Sequence, residues 1–175
     1  MNKIALLTVP AFIAACAGPM AMVDNSQLPE SVRVPTGHKQ ALSTTGRGEI
    51  TYECRAKAGA AGAFEWAFVE PVATLMDTSG KTLGKYYAGP TWEAADGSKV
   101  SGKQVAVAPA SPGNIPLQLV KAEPAMGSGA MQGMSYIQRL KTRGGVAPAA
   151  ACSGAEVGQR RQVGYEADYV FYRGM

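Results

Sequence analysis

Glu49-Ile-Thr-Tyr-Glu-Cys-Arg-Ala-Lys57 alternates without a break: Ile50, Tyr52, Cys54 and Ala56 fall on one side, and Glu49, Thr51, Glu53, Arg55 and Lys57 on the other. Apolar and polar residues with a period of two mark a strand buried on one face. Cys54 then points inward. Past the loop Gly59–Gly62 the pattern resumes in Phe64, Trp66 and Phe68. Asp77-Thr-Ser-Gly80-Lys81 reads as a hairpin turn between Leu75-Met76 and Thr82–Tyr87, and Asp96-Gly97 as a second between Thr91–Glu93 and Lys99–Ala108. Ile115, Leu117 and Leu119 alternate on a further strand, and Met134–Leu140 makes another. In Tyr165–Arg173 one face holds Tyr165, Ala167, Tyr169 and Phe171. No twelve-residue window carries a helical stripe uninterrupted by Gly or Pro. The expectation is a single-domain, all-β, antiparallel sandwich or barrel of about eight to ten short strands.

Composition agrees with that reading. Of 175 residues, 46% are hydrophobic and 17% charged, with 21 Gly and 11 Pro, which excludes a coiled coil, a disordered chain and a polytopic membrane protein. The formal net charge is +4. Arg33, Arg47, Lys57, Lys81, Lys103 and Arg161 are scattered rather than pooled, so nucleic acid is not an expected partner. The tightest basic groups, Arg139–Arg143 and Arg160-Arg161, read as solvated faces.

Lys3 precedes an uncharged run from Ile4 to Ala15, broken by Pro10. The run is too short to cross a bilayer of roughly 30 Å as a helix and reads as a signal-peptide core, residues 1–15. It ends in Ile13-Ala-Ala-Cys16, which resembles the bacterial lipobox, so Cys16 is the expected lipidation site and membrane anchor. Cleavage at the small-x-small site Ala15-Cys16-Ala17 is the alternative and would release a periplasmic protein. Residues 16–30 read as a tether and 31–175 as a β-sandwich domain. From Val23 onward every apolar run is broken by Gly, Pro or charge.

Cys54 and Cys152 form an even pair in an exported chain, and a disulfide is the default. Cysteine catalysis is disfavoured by an oxidising compartment and by the absence of a Cys-x-x-Cys motif. His38, the sole histidine, lies in Pro35-Thr-Gly-His38-Lys, a loop by composition. One imidazole makes neither a metal site nor a triad, and no phosphate-binding glycine motif exists. No metal and no cofactor are expected.

What remains is Gly84–Lys99, which gathers Tyr86, Tyr87, Trp92, Glu93 and Asp96 at the end of a strand pair. Aromatic faces beside carboxylates suit a glycan or small-molecule ligand, and two carboxylates could serve as acid and base. The plainer reading buries Trp92, pairs Glu93 with a lysine and spends Asp96 on its turn. Arg139 joins the candidates, since a charge between Ile137 and Leu140 in a strand needs a ligand or a carboxylate such as Glu93 or Asp168. Tyr86 is expected as a ligand-facing ring whose loss would spare stability.

Tyr52-Glu-Cys54, Glu65-Trp-Ala-Phe68, the run Tyr87–Val100, Ile137-Gln-Arg139, Thr142-Arg-Gly-Gly-Val-Ala-Pro148, Cys152 and Tyr165-Glu-Ala-Asp-Tyr169 together resemble the family called domain of unknown function 3455. The resemblance implies an exported protein and no particular activity. Many bacterial members carry histidine where this chain has Tyr86 and Thr91, which weakens a metal or acid–base role here. The leading expectation is a non-enzymatic binding or structural module of the cell envelope. The alternatives are a carbohydrate-active enzyme using Glu93 and Asp96, and an accessory subunit docking through an exposed strand edge or the basic loop Arg139–Arg143.

Overall fold

The computed structural model describes residues 22–175. The expected signal peptide, Cys16 and the start of the expected tether lie outside the described residues. The chain forms β1 (His38–Ala56), β2 (Phe64–Met76), β3 (Thr82–Tyr87), β4 (Thr91–Ala94), β5 (Lys99–Ala108), β6 (Leu117–Ala122), β7 (Met134–Gly144) and β8 (Arg160–Gly174). Each strand pairs antiparallel with the next in sequence, and β8 returns to β1 to close a barrel. Among the described residues the only helices are three short 3-10 turns.

The alternating stretch that opens the sequence lies within β1, and Ile50, Tyr52 and Cys54 face a core shared with Trp66, Leu75, Trp92, Val100, Ile137, Tyr165, Tyr169 and Phe171. Ala56, at the strand end, is exposed. A closed sheet leaves no edge along most of its circumference and must fill its interior with side chains. Here aromatics fill it, and Gly46 makes room: a Cβ on it would collide with the ring of Tyr169. Arg47, Glu49, Glu53 and Lys85 lie on the outside in ion pairs or in water. A lipid-spanning barrel has the opposite polarity.

Two elements differ from the sequence reading. β1 begins at His38 and is 19 residues long, because its first half pairs with β8 over residues whose burial does not alternate. His38 is thus strand rather than loop, with its ring edge-on to Tyr136 at 4.8 Å. Second, residues 23–30, read as part of the tether, pack onto the domain together with residues 31–34. This segment lies on the outer face of the barrel, where Val32, Val34, Val23 and Leu28 cover Leu119, Leu140, Val170 and Tyr172. The buried Gln138 pins it through its amide to Asn25 Oδ1 (2.9 Å) and the Val32 carbonyl (2.6 Å), and accepts from the Tyr172 hydroxyl. Leu117 and Leu119 therefore point outward under this strap, while Gln118 and Val120 of the same strand point inward. Alternation located the strand, but the covered outer face inverts which side is the barrel's lumen.

Cys54 and Cys152 are bonded, with Cα atoms 5.9 Å apart. The bond fastens the end of β1 to the β7–β8 loop. That loop also lies against β2, since the Trp66 indole donates to the Ala150 carbonyl (3.0 Å).

Candidate functional site

The barrel wall is not of even height. β3 ends at Tyr87 and β4 begins at Thr91, so their hairpin pairs with β2 only over Val72–Met76 and with β5 only over Lys99–Ser101. The remainder of β2, Phe64–Pro71, and of β5, Gly102–Ala108, rises past it, and among the described residues no strand pairs with the facing edge. A side notch results. Its volume is about 510 Å³, and its walls include Phe68 and Pro71 of β2, Gly89 and Pro90 of the β3–β4 turn, and Gln104 of β5, with Tyr86, Gln118 and Arg139 behind.

Tyr86 and Arg139 meet at this notch; Tyr87, Trp92, Glu93 and Asp96 do not line it. Tyr86 is nonetheless a core residue. It is 5% exposed and lies between Trp92 and Tyr169, with both ring centroids 5.0 Å away. The expectation that its loss would spare stability is corrected by this packing. Trp92 is 1% exposed and meets Tyr169 and Phe171 edge-on.

Glu93 sits on the outer surface, where it accepts from the Tyr87 hydroxyl (2.9 Å) and pairs with Lys99 (3.2 Å) and Lys85 (3.4 Å). Asp96 accepts from the amide and hydroxyl of Ser98 (2.9 and 2.6 Å) and, across the barrel end, from the Ala130 amide (2.8 Å). These donors hold both carboxyls below their ordinary range, chiefly the Tyr87 hydroxyl for Glu93 and Ser98 for Asp96. Neither keeps a proton near neutral pH, whereas a glycosidic general acid must. Among the described residues no group of three His, Cys, Asp or Glu could hold a metal.

Arg139 has the position with most chemical consequence. It shares the lumen-facing parity of Ile137 in β7, and its Nε and Nη2 donate to one carbonyl, that of Pro116 (3.2 and 2.9 Å). Neither expected carboxylate reaches it: Glu93 serves lysines, and Asp168 pairs with Lys141 (3.1 Å). Among the described residues no carboxylate pairs with Arg139, and Nη1 has no acceptor. Its charge is felt by Tyr52, Tyr86, Tyr165 and Tyr169, whose hydroxyls burial pushes up. Those phenols stay neutral at physiological pH and supply no counter-charge. The segment Arg139–Arg143 is strand rather than an exposed basic loop, and Lys141 and Arg143 are paired with Asp168 and Glu166.

Sequence reasoning missed Gln104, Gln118 and Phe68 as a group. Gln118 donates to Gln104 across β5 and β6 (2.7 Å), and Phe68, 57% exposed, faces the mouth on the same side as Tyr52. The one available signal was a polar residue between Leu117 and Leu119, which points into the lumen only because the strap covers the other face.

Residues 35–173 match the family described as protein of unknown function (DUF3455). The chain belongs to that family. The DUF3455 match takes in β1 to β8, short only of Gly174 at the end of β8, and both cysteines of the disulfide, so the disulfide and the notch fall within it. No curated protein and no solved structure matches this DUF3455 chain.

Proposed function

We propose that this protein is a non-enzymatic binding module whose side notch captures a small anionic ligand on Arg139. The observation that carries the reading is the lumen-facing guanidinium that no carboxylate pairs with among the described residues. A half-buried cation needs compensation, and desolvated charge without a partner is costly. An anion entering the notch supplies it. The two rims favour a compact ligand over an added strand, because β2 carries Pro71 and a bulge there and β5 carries a bulge at Gln104/Ala106. Proline and bulges both obstruct strand addition. Glu93 and Asp96, bound into ion pairs and a turn, give an enzyme reading no acid.

Thermal shift and calorimetry with a panel of small carboxylates, phosphate and neutral polyols test the proposal. Arg139→Met is expected to weaken an anionic hit by about 10- to 100-fold with the near-ultraviolet circular dichroism unchanged. A panel in which Arg139→Met alters no affinity would overturn the reading.

We further propose that the module works outside the cytoplasm, in the bacterial envelope, held to the membrane by acyl chains on Cys16. The uncharged run before Cys16 supports export, and two or more acyl chains suffice for stable anchoring. Cys16→Ser is expected to move the protein from the membrane to the soluble fraction and abolish labelled fatty-acid incorporation. Unchanged fractionation would rule the anchor out.

A further inference from the structure

Resting on the notch as an anion site, we propose that its ligand is an acidic sugar, a uronic acid unit of a glycan. Charge chooses among anions first. Nε and Nη2 of Arg139, which lines the notch, are engaged by the Pro116 carbonyl, which leaves Nη1 without an acceptor among the described residues. The other cation lining the notch, Lys103, is paired with Glu123 at 3.1 Å. One half-engaged guanidinium suits a single negative charge. A phosphate dianion asks for more donors and more charge than this wall offers.

The glutamine pair selects among carboxylates. Gln118 Nε2 donates to Gln104 Oε1, so the Gln104 amide group keeps its N–H donors and the Gln118 side chain keeps its carbonyl oxygen. Among the described residues neither has another partner. A donor and an acceptor side by side are both satisfied by hydroxyl groups, which donate and accept at once. An aromatic acid would leave them bare. Phe68 at the rim offers an exposed apolar ring for the C–H face of a pyranose. The site opens through the side of the barrel, above the Ala88–Pro90 turn, so both ends of a glycan chain can continue into solvent. A volume of about 510 Å³ is sugar-sized.

Isothermal titration of the protein, with its disulfide intact, would use four probes: a galacturonate trisaccharide, the neutral galactose trisaccharide of the same linkage, benzoate and inorganic phosphate. The expected result is galacturonate binding at least about tenfold tighter than its neutral counterpart, and about 10- to 100-fold weaker in Arg139→Met. Gln104→Ala and Phe68→Ala, both at exposed positions, should each weaken galacturonate roughly 3- to 10-fold at unchanged Tm. They also keep the test decisive should Arg139→Met fold poorly. Neutral sugar binding as tightly as galacturonate would overturn the assignment. Arg139-dependent binding of benzoate or phosphate without galacturonate would overturn the sugar and leave the anion site standing. No probe sensitive to Arg139 would overturn both.

Discussion

Replacing Cys54 and Cys152 together by alanine is expected to lower the unfolding free energy by about 4 to 5 kcal/mol, the loop-closure entropy of a cross-link between positions 98 apart in sequence. Few single bonds in a domain of this size matter as much, because total stability is only about 5 to 15 kcal/mol. The cost is expected to fall on the unfolded state, which gains conformations, while the folded barrel keeps its strands. Equilibrium denaturation of the double variant against the oxidised protein measures it. A loss below about 1 kcal/mol would mean that the unfolded chain is already constrained near β1 and the β7–β8 loop. Alanine is preferred to serine at position 54, since Cys54 is wholly buried and a hydroxyl there would need a partner.

Trp92→Ala is expected to cost about 3 to 5 kcal/mol. The indole is enclosed by Tyr86, Tyr169 and Phe171, and no neighbouring ring can turn to fill the space without leaving its own contacts. Trp92→Phe should cost much less. Among the described residues the indole Nε1 is buried with no hydrogen-bond partner, so phenylalanine sheds an unsatisfied donor along with part of the volume. Chemical denaturation of the two variants checks both the size and the order. If Trp92→Phe were as damaging as Trp92→Ala, the donor would have a partner that the packing conceals. Tyr86→Ala belongs with these core substitutions. Its hydroxyl is better probed by Tyr86→Phe, which keeps the ring between Trp92 and Tyr169.

Local pattern alone revealed the strands of this barrel. Period-two alternation is a backbone property, and in the second half of β1 and the first half of β8 it survives because one face is buried and the other is not. The turns begun by Asp77 and Asp96 were legible for a similar reason: each carboxylate accepts from the backbone N–H two residues on, a local interaction that needs no distant partner. Cys54 and Cys152 were pairable by count on the expectation of export, and they are bonded.

Closure was not legible, since a sandwich and a barrel share strand patterns and differ in whether β8 pairs with β1, a contact between the two ends of the domain. Nor was the sense of β6. Leu117 and Leu119 are apolar whether they face a lumen or a strap, and only the segment from Val23 to Val34, docked by Gln138, decides it. The site divides along the same line. Arg139 was conspicuous as a charge among apolar strand residues. That it would find neither Glu93 nor Asp168, and would share a notch with Gln104, Gln118 and Phe68, follows from the short β3–β4 hairpin. Three of those residues come from the successive strands β5, β6 and β7, and Phe68 joins them from β2 across the gap. Residue type and spacing therefore determine which segments extend and which face of each is apolar, whereas the distances between side chains on non-adjacent strands are set only when the sheet closes.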